Sequence, residues 1–456
     1  MATASIVRRL AAGMAIAGAL LQPAASGAVV ARDCAKPGAA CTIAETARRA
    51  GVHFGAVASR GQSAAERALL AEHFTSVTAE NAMKWGEIAP RVGSYGFADA
   101  DEIAAFAETN GMRLRGHTLV WGVMQMPSDL ASTVTAAADP AARMAELLGE
   151  HFGTMIGRYG ARVAQWDVVN EPLEVVGTAL AKNVFLDALG PGYLGLSFTL
   201  ARGLAPGASL YLNEYVLSWP SPKLDALRAT VADLRSKGVP VDGVGIQGHF
   251  YPFFPLPDRA TIEQALREIA DLGVEIEITE LDVSSWHFRD DPDPLARQAA
   301  FFGDFVAACM AVPACRGITT WGIQDGDSWL DHAPPFDLAA PNDPLLFDRD
   351  LEPKPAYVAV REAIATRAVA FEDEAWGIFR KVGKLRRDGL LRGPSVRTAR
   401  RVVRRAAQML RGDRFADACD RLARGARAAG EANGPAVTEA VESIAGLRLG
   451  LRCDEG

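Results

Sequence analysis

AQWDVVNEP, residues 164–172, decides the fold of this chain. Trp166, Val168 and Val169 give the segment β character, and it ends on Asn170 and Glu171 before Pro172 closes it. A buried strand with its polar residues gathered at the C-terminal end is what the mouth of a barrel requires. Seven more short β-rich runs surround it, at 53–58, 74–81, 113–121, 209–215, 242–250, 275–283 and 316–325. Successive starts lie 21 to 51 residues apart, which leaves room for one helix and its loops in each gap. Residues 64–72 (AAERALLAE), 262–272 (IEQALREIADL) and 295–306 carry apolar residues at helical spacing. Eight strands alternating with helices, joined by right-handed crossovers, predict an α/β fold of the (β/α)8 TIM barrel type. A doubly wound sheet is the alternative, but it wants a glycine-rich phosphate loop after the first strand, and no GxGxxG follows residues 53–58.

Composition narrows the function. With 49% hydrophobic and 23% charged residues, the chain is not a largely disordered one. The net charge of -7 argues against a general nucleic-acid binder. No apolar run in the body reaches the ~18 residues of a membrane span. The charge is unevenly spread. Residues 380–456 hold 18 Lys/Arg against 9 Asp/Glu, and the rest of the chain holds 30 against 46.

The predicted organisation is a signal peptide over 1–28, a linker over 29–44, the barrel over 45–368 and a small basic helical C-terminal module over 369–456. Arg8 and Arg9, the apolar stretch 10–21 and the small residues Ala24, Ala25 and Ser26 support the signal, so a secreted or periplasmic protein is expected. Cys34, Cys41, Cys309, Cys315, Cys419 and Cys453 suit export. Six cysteines allow 15 pairings, of which neighbour pairing is the simplest. No CxxC is present and the histidines do not cluster near cysteines, so no metal is expected.

Polar residues crowd the predicted strand ends, in TAENAMKW (78–85), GHTLVW (116–121), GIQGH (245–249), ITELD (278–282) and WGIQD (321–325). Glu171 and Glu280 stand out, because each follows apolar or β-branched residues and so sits where a buried strand meets the barrel mouth. A lone Glu there is more often an ordinary ion-paired residue. Two of them, with Asn170 alongside, suit a division into acid and nucleophile.

With WDVVNEP and ITELD in this order, the sequence resembles glycoside hydrolase family 10, mostly endo-β-1,4-xylanases, over roughly residues 45–365. The resemblance implies a retaining mechanism on xylan and xylo-oligosaccharides without a cofactor. Glu171 would be the acid/base and Glu280 the nucleophile, oriented by His249 and Asp282. Asn170 would hold the 2-hydroxyl of the sugar being cleaved, with Lys84 and His117 on its other hydroxyls. Glu80 and Asn81 would contact the next sugar, Gln247 would line the pocket, and Trp321 and Trp329 would wall it. A Cys309–Cys315 bridge is also implied, while Trp85 reads as packing.

Some positions depart from the family. Gly122 stands where a His often follows the Trp, an extra residue precedes Pro127, and Asp129 replaces a Trp. Asn213-Glu214-Tyr215-Val216 replaces Asn-Asp-Tyr-Asn. Two alternatives remain open: another endo-β-1,4-glycanase of the same mechanism, or a barrel that binds xylan without cutting it. The basic tail is expected either to be a solvated appendage or to contact an acidic polysaccharide or envelope surface.

Overall fold

The computed structural model describes residues 40–331 and 342–387, together with Cys34 and isolated positions between 401 and 447. The barrel strands are β1 (His53–Ala58), β2 (Ser76–Ala79), β3 (Arg113–Gly116), β4 (Val163–Asn170), β5 (Ser209–Glu214), β6 (Gly243–Ile246), β7 (Glu275–Val283) and β8 (Cys315–Thr320). Each pairs in parallel with its neighbours in sequence, and β8 closes the ring by pairing with both β7 and β1. This is the expected (β/α)8 barrel. Helices cover the strands from outside, which explains why the strands read as near-continuous apolar runs.

Local sequence starts those helices cleanly. Ser63 and Glu66 form a reciprocal capping box ahead of the helix Ala64–His73. Pro140, Pro222 and Pro294 each sit in the first turn of a helix, behind the side-chain caps Asp139, Ser221 and Asp293. Residues 184–204 are apolar enough on length and composition to cross a membrane. They fold instead as two helices broken at Gly190–Gly192, and they bury Phe185, Tyr193, Leu194 and Phe198.

Two expected strands are each split. Residues 113–121 divide into β3 and a short strand Val120–Trp121 that pairs with the end of β4. Residues 242–250 divide into β6 and His249–Phe250, which pairs with the end of β7. The break falls at Gly248, whose φ of 84° suits glycine alone. Register slips matter as well. Between β4 and β5 the pairing passes from Asp167↔Tyr211 to Val169↔Leu212, so Asn170 comes to lie opposite Asn213. Between β7 and β8 it passes from Ile278↔Ile318 to Leu281↔Thr320, an extra residue on β7 just where Glu280 stands.

The barrel interior is more polar than stacked layers of branched aliphatic side chains would make it. Arg115 is buried on β3 and makes two hydrogen bonds to Asp167 and one of 2.7 Å to Glu277. Gln165 donates to Glu277 at 2.6 Å and accepts from Arg113 at 3.0 Å. A buried cation held by two carboxylates is costly to disrupt on one side, by roughly 3–5 kcal/mol.

Cys34–Cys41 and Cys309–Cys315 are disulfides. The first packs against Ala365 of the last helix, Pro355–Arg387. That helix carries the chain past residue 368, where the sequence puts the end of the barrel. Cys419 and Cys453, the signal segment 1–28 and most of the C-terminal module lie outside the described residues.

Candidate active site

Glu280 is buried at the end of β7. Asn213 donates to its Oε1 at 2.8 Å, and His249 Nε2 donates to its Oε2 at 3.1 Å. The other nitrogen of that ring donates to Asp282 at 2.9 Å. Burial alone would lower the His249 pKa, but the two carboxylates raise it to about 10, Asp282 most of all. The ring is therefore an imidazolium with both N–H groups committed. Burial also works against ionisation of Glu280, yet the His249 bond and the pull of His117, His249 and Lys84 hold it below the ordinary value. Trp329 donates to the same Asp282 oxygen at 3.0 Å and lies edge-on to His249 at 5.0 Å.

Glu171 follows β4 with a φ of 50°, a left-handed conformation that few non-glycine residues adopt. Its backbone N–H donates to Asn213 O at 2.9 Å. Gln247 donates to its Oε1 at 2.7 Å and Trp121 to its Oε2 at 3.0 Å. Burial first, and then the negative charge of Glu280, push its pKa above the ordinary carboxylate value. The two carboxyl groups thus move in opposite directions, which is how paired acids acquire different roles. A chain of amides joins them. Asn213 bonds both Glu280 and Asn170, and Asn170 reaches Glu171 at 3.3 Å.

The remaining sugar-facing candidates line the same mouth. Lys84 is buried, donates to Asn81 at 2.9 Å and lies over the rings of Trp121 and Trp321. Burial lowers its pKa, opposed by Glu280, Glu80 and Glu171. His117 sits edge-on to Trp321 at 5.3 Å. Glu80 and Asn81 border a cavity of about 570 Å³ that Arg60, Glu87 and Asp99 also line. Trp85 stacks on His151 at 4.0 Å, away from these groups.

Four residues of the site escaped the sequence reading. Asp167 accepts from His117 Nδ1 at 2.9 Å and so points the other ring nitrogen away from itself. Its presence in the interior of β4, between Trp166 and Val168, was the available signal. Asn213 was noted only beside a departure, yet it links both carboxyl groups and accepts from Thr279 at 2.7 Å. Trp121 was read as a strand end. Gln125 donates to Asn81 and to Glu87, both at 3.1 Å, from a loop position with φ of 47°.

The departing positions sit in packed or hydrogen-bonded surroundings. A side chain at Gly122 would meet Asn183, with its Cβ 2.5 Å from the Asn183 Cγ. Asn183 fills that space while capping the helix Val184–Leu189. Asp129 holds the Val92 N–H at 2.8 Å and pairs with Arg91 at 3.2 Å, tying the loop down. Val216 is buried.

Known proteins are similar to this chain in sequence and fold. The model of the family described as Glycosyl hydrolase family 10 matches residues 42–363. Endo-1,4-beta-xylanase 3 of Hypocrea jecorina is 34% identical over 317 residues, 69% of this chain and 82% of that protein. The crystal structure of native xylanase 10B from Thermotoga maritima aligns with a TM-score of 0.66 at 30% identity, covering 72% of this chain and 100% of that one. Xylanase 10B from Thermotoga petrophila RKU-1, solved in complex with xylobiose, aligns with a TM-score of 0.65 at 29% identity, covering 72% and 98%. The chain belongs to glycosyl hydrolase family 10.

Proposed function

We propose that this chain is a retaining endo-1,4-β-xylanase that works by double displacement. The observation that carries the reading is the opposed setting of the two carboxyl groups. Glu280 is held below the ordinary carboxylate value by His249, which Asp282 keeps charged, while burial and then Glu280 push Glu171 above it. Glu280 attacks the anomeric carbon while the Glu171 proton passes to the glycosidic oxygen, which leaves with the reducing-end fragment. This forms a covalent glycosyl ester and cancels the charge of Glu280. Glu171, now a carboxylate, takes a proton from water as that water attacks the anomeric carbon from the face opposite Glu280. Glu280 departs and configuration is retained. In this reading Asn170 takes the 2-hydroxyl, Lys84 and His117 the other hydroxyls of that sugar, and Glu80 and Asn81 contact the next one. Trp321 and Trp329 cover the apolar sugar face. The xylanase relatives and the xylobiose complex support xylan as the substrate.

The test compares reducing-sugar release from xylan and from a soluble β-1,4-glucan, and follows the anomeric form of the first product by NMR. Internal cleavage of xylan with the β-anomer first supports the reading. Faster cleavage of the glucan would favour another β-1,4-glycanase, an initial α-anomer would exclude retention, and binding without release would leave only a xylan-binding barrel. We also read the chain as exported. The two disulfides and the signal-like first residues support that, since disulfides persist in oxidising compartments.

A further inference from the structure

Glu214 and Lys223 are buried charged residues that have no place in the chemistry above. Glu214 ends β5, and Lys223 opens the helix Pro222–Ser236 behind the Ser221 cap. Lys223 Nζ lies 2.9 Å from Glu214 Oε1 and 3.3 Å from the centre of the Tyr215 ring. Glu214 Oε1 also accepts the Tyr215 N–H at 3.0 Å, and its Oε2 accepts the Leu173 N–H at 3.0 Å. Burial pushes the Glu214 carboxyl up to about 8, while the Lys223 charge and the Leu173 N–H pull it back toward the carboxylate. Leu173 is two residues beyond Glu171, and Pro172 between them has no N–H to give. The contact to Glu214 is therefore an early anchor after the left-handed turn at Glu171. The loop beyond it closes on itself through Ala181 N to Pro172 O at 2.8 Å and Glu174 N to Ala179 O at 3.0 Å.

We propose that Glu214 and Lys223 form a positioning pair for the acid/base. Glu214 clamps the backbone that aims the Glu171 carboxyl, and the paired charges set the field that carboxyl feels. The proposal rests on the acid/base reading of Glu171 and extends it to residues that never touch the sugar. The charged and titratable groups facing Glu171 are Glu280 on β7, Lys84 after β2, Glu214 at the end of β5 and Tyr215 just after it, Lys223 on the following helix, and Tyr251 after His249–Phe250. Lys223 favours the ionised Glu171, while Glu280 opposes it. Glu214 is the partner that balances Lys223.

The balance makes a signed prediction. In Lys223→Met the cation that favours ionised Glu171 is gone, so the alkaline limb of the kcat/KM profile moves to higher pH. In Glu214→Gln the amide oxygen still accepts the Leu173 N–H, but the Lys223 charge is unopposed, so the limb moves to lower pH. Each displacement should be about half to one pH unit. Lys223→Arg should return the limb to the wild-type position. If Lys223→Met does not fold, Lys223→Gln against Lys223→Arg carries the same comparison. A purely structural pair would lower the melting temperature of both variants and leave the limb in place, or move it the same way in both. Either result overturns the proposal. Glu171→Ala, assayed on an activated aryl xylobioside, separates the two layers. If the alkaline limb survives in it, the acid/base reading fails and takes the proposal with it. If the limb vanishes there but stays put in both pair variants, the pair alone is refuted.

Discussion

Replacing Asp282 by Asn keeps the shape of the side chain and removes the charge that holds His249 as a cation. Raising an imidazole from 6.5 to about 10 corresponds to roughly 5 kcal/mol in favour of the charged ring, at about 1.4 kcal/mol per pH unit. Asp282 is the larger of the two carboxylate contributions, so about 2–3 kcal/mol should go with it. The sign follows from linkage. A folded-state pKa above the unfolded one gives stability that is fully present below pH 6.5 and is lost as the pH climbs through about 10. Denaturant unfolding measured at intervals from pH 6 to pH 10 should show that slope in the wild type. In Asp282→Asn the curve should be flatter, with the variant about 2–3 kcal/mol less stable at pH 6. Glu280 also loses part of the charge that keeps it ionised, so the acidic limb of kcat/KM should move to higher pH. A variant that keeps the wild-type slope and the wild-type acidic limb would refute the assignment of His249 as an imidazolium held by Asp282.

Glu171→Ala should retain the first step on aryl xylosides with good leaving groups and lose xylan cleavage by at least ~10²-fold, since only the polymer needs protonation; equal losses on both substrates would argue against an acid/base. Asp167→Ala strips Arg115 of one carboxylate inside the barrel and should cost roughly 3–5 kcal/mol of stability, read as a lowered denaturation midpoint, and it should raise KM because the His117 ring loses the acceptor at 2.9 Å that orients it. Deleting residues 388–456 spares the helix Pro355–Arg387, whose Ala375 and Ile378 are buried. Turnover on short xylo-oligosaccharides should be unchanged, and pull-down on insoluble glucuronate-bearing xylan should fall at low salt; unchanged pull-down at every salt concentration would leave the tail a solvated appendage.

The barrel was legible because each strand is buried on both faces and ends in a polar cluster, a pattern that one-dimensional reading captures. Glu171, Glu280 and His249 were legible for the same reason, since each is a polar residue just past an apolar run. Asp167, Asn213 and Trp121 were not. Their roles are defined by partners far away in sequence: Asp167 by His117, Asn213 by Glu280, and Trp121 by Glu171. Simple alternation also misplaces residues where the register slips, and it is the slips on β4 and β7 that bring Asn170 opposite Asn213 and insert the extra residue at Glu280. The split strands had one local sign in Gly248. Residues 113–121 break just after Gly116, the last residue of β3, which has no left-handed φ to mark the place. The setting of Gly122 is not local either, since the space beside it is filled by Asn183, about sixty residues later.

The central claim is that Glu280 forms the covalent intermediate. An activated 2-deoxy-2-fluoro xylobioside slows both steps but lets the good leaving group depart, so the ester should accumulate. Intact-protein mass spectrometry should show one equivalent of the fluorinated disaccharide, and peptide fragmentation should place it on Glu280 within Glu275–Val283. A label on any other residue, or continued turnover with no label at all, would contradict the account.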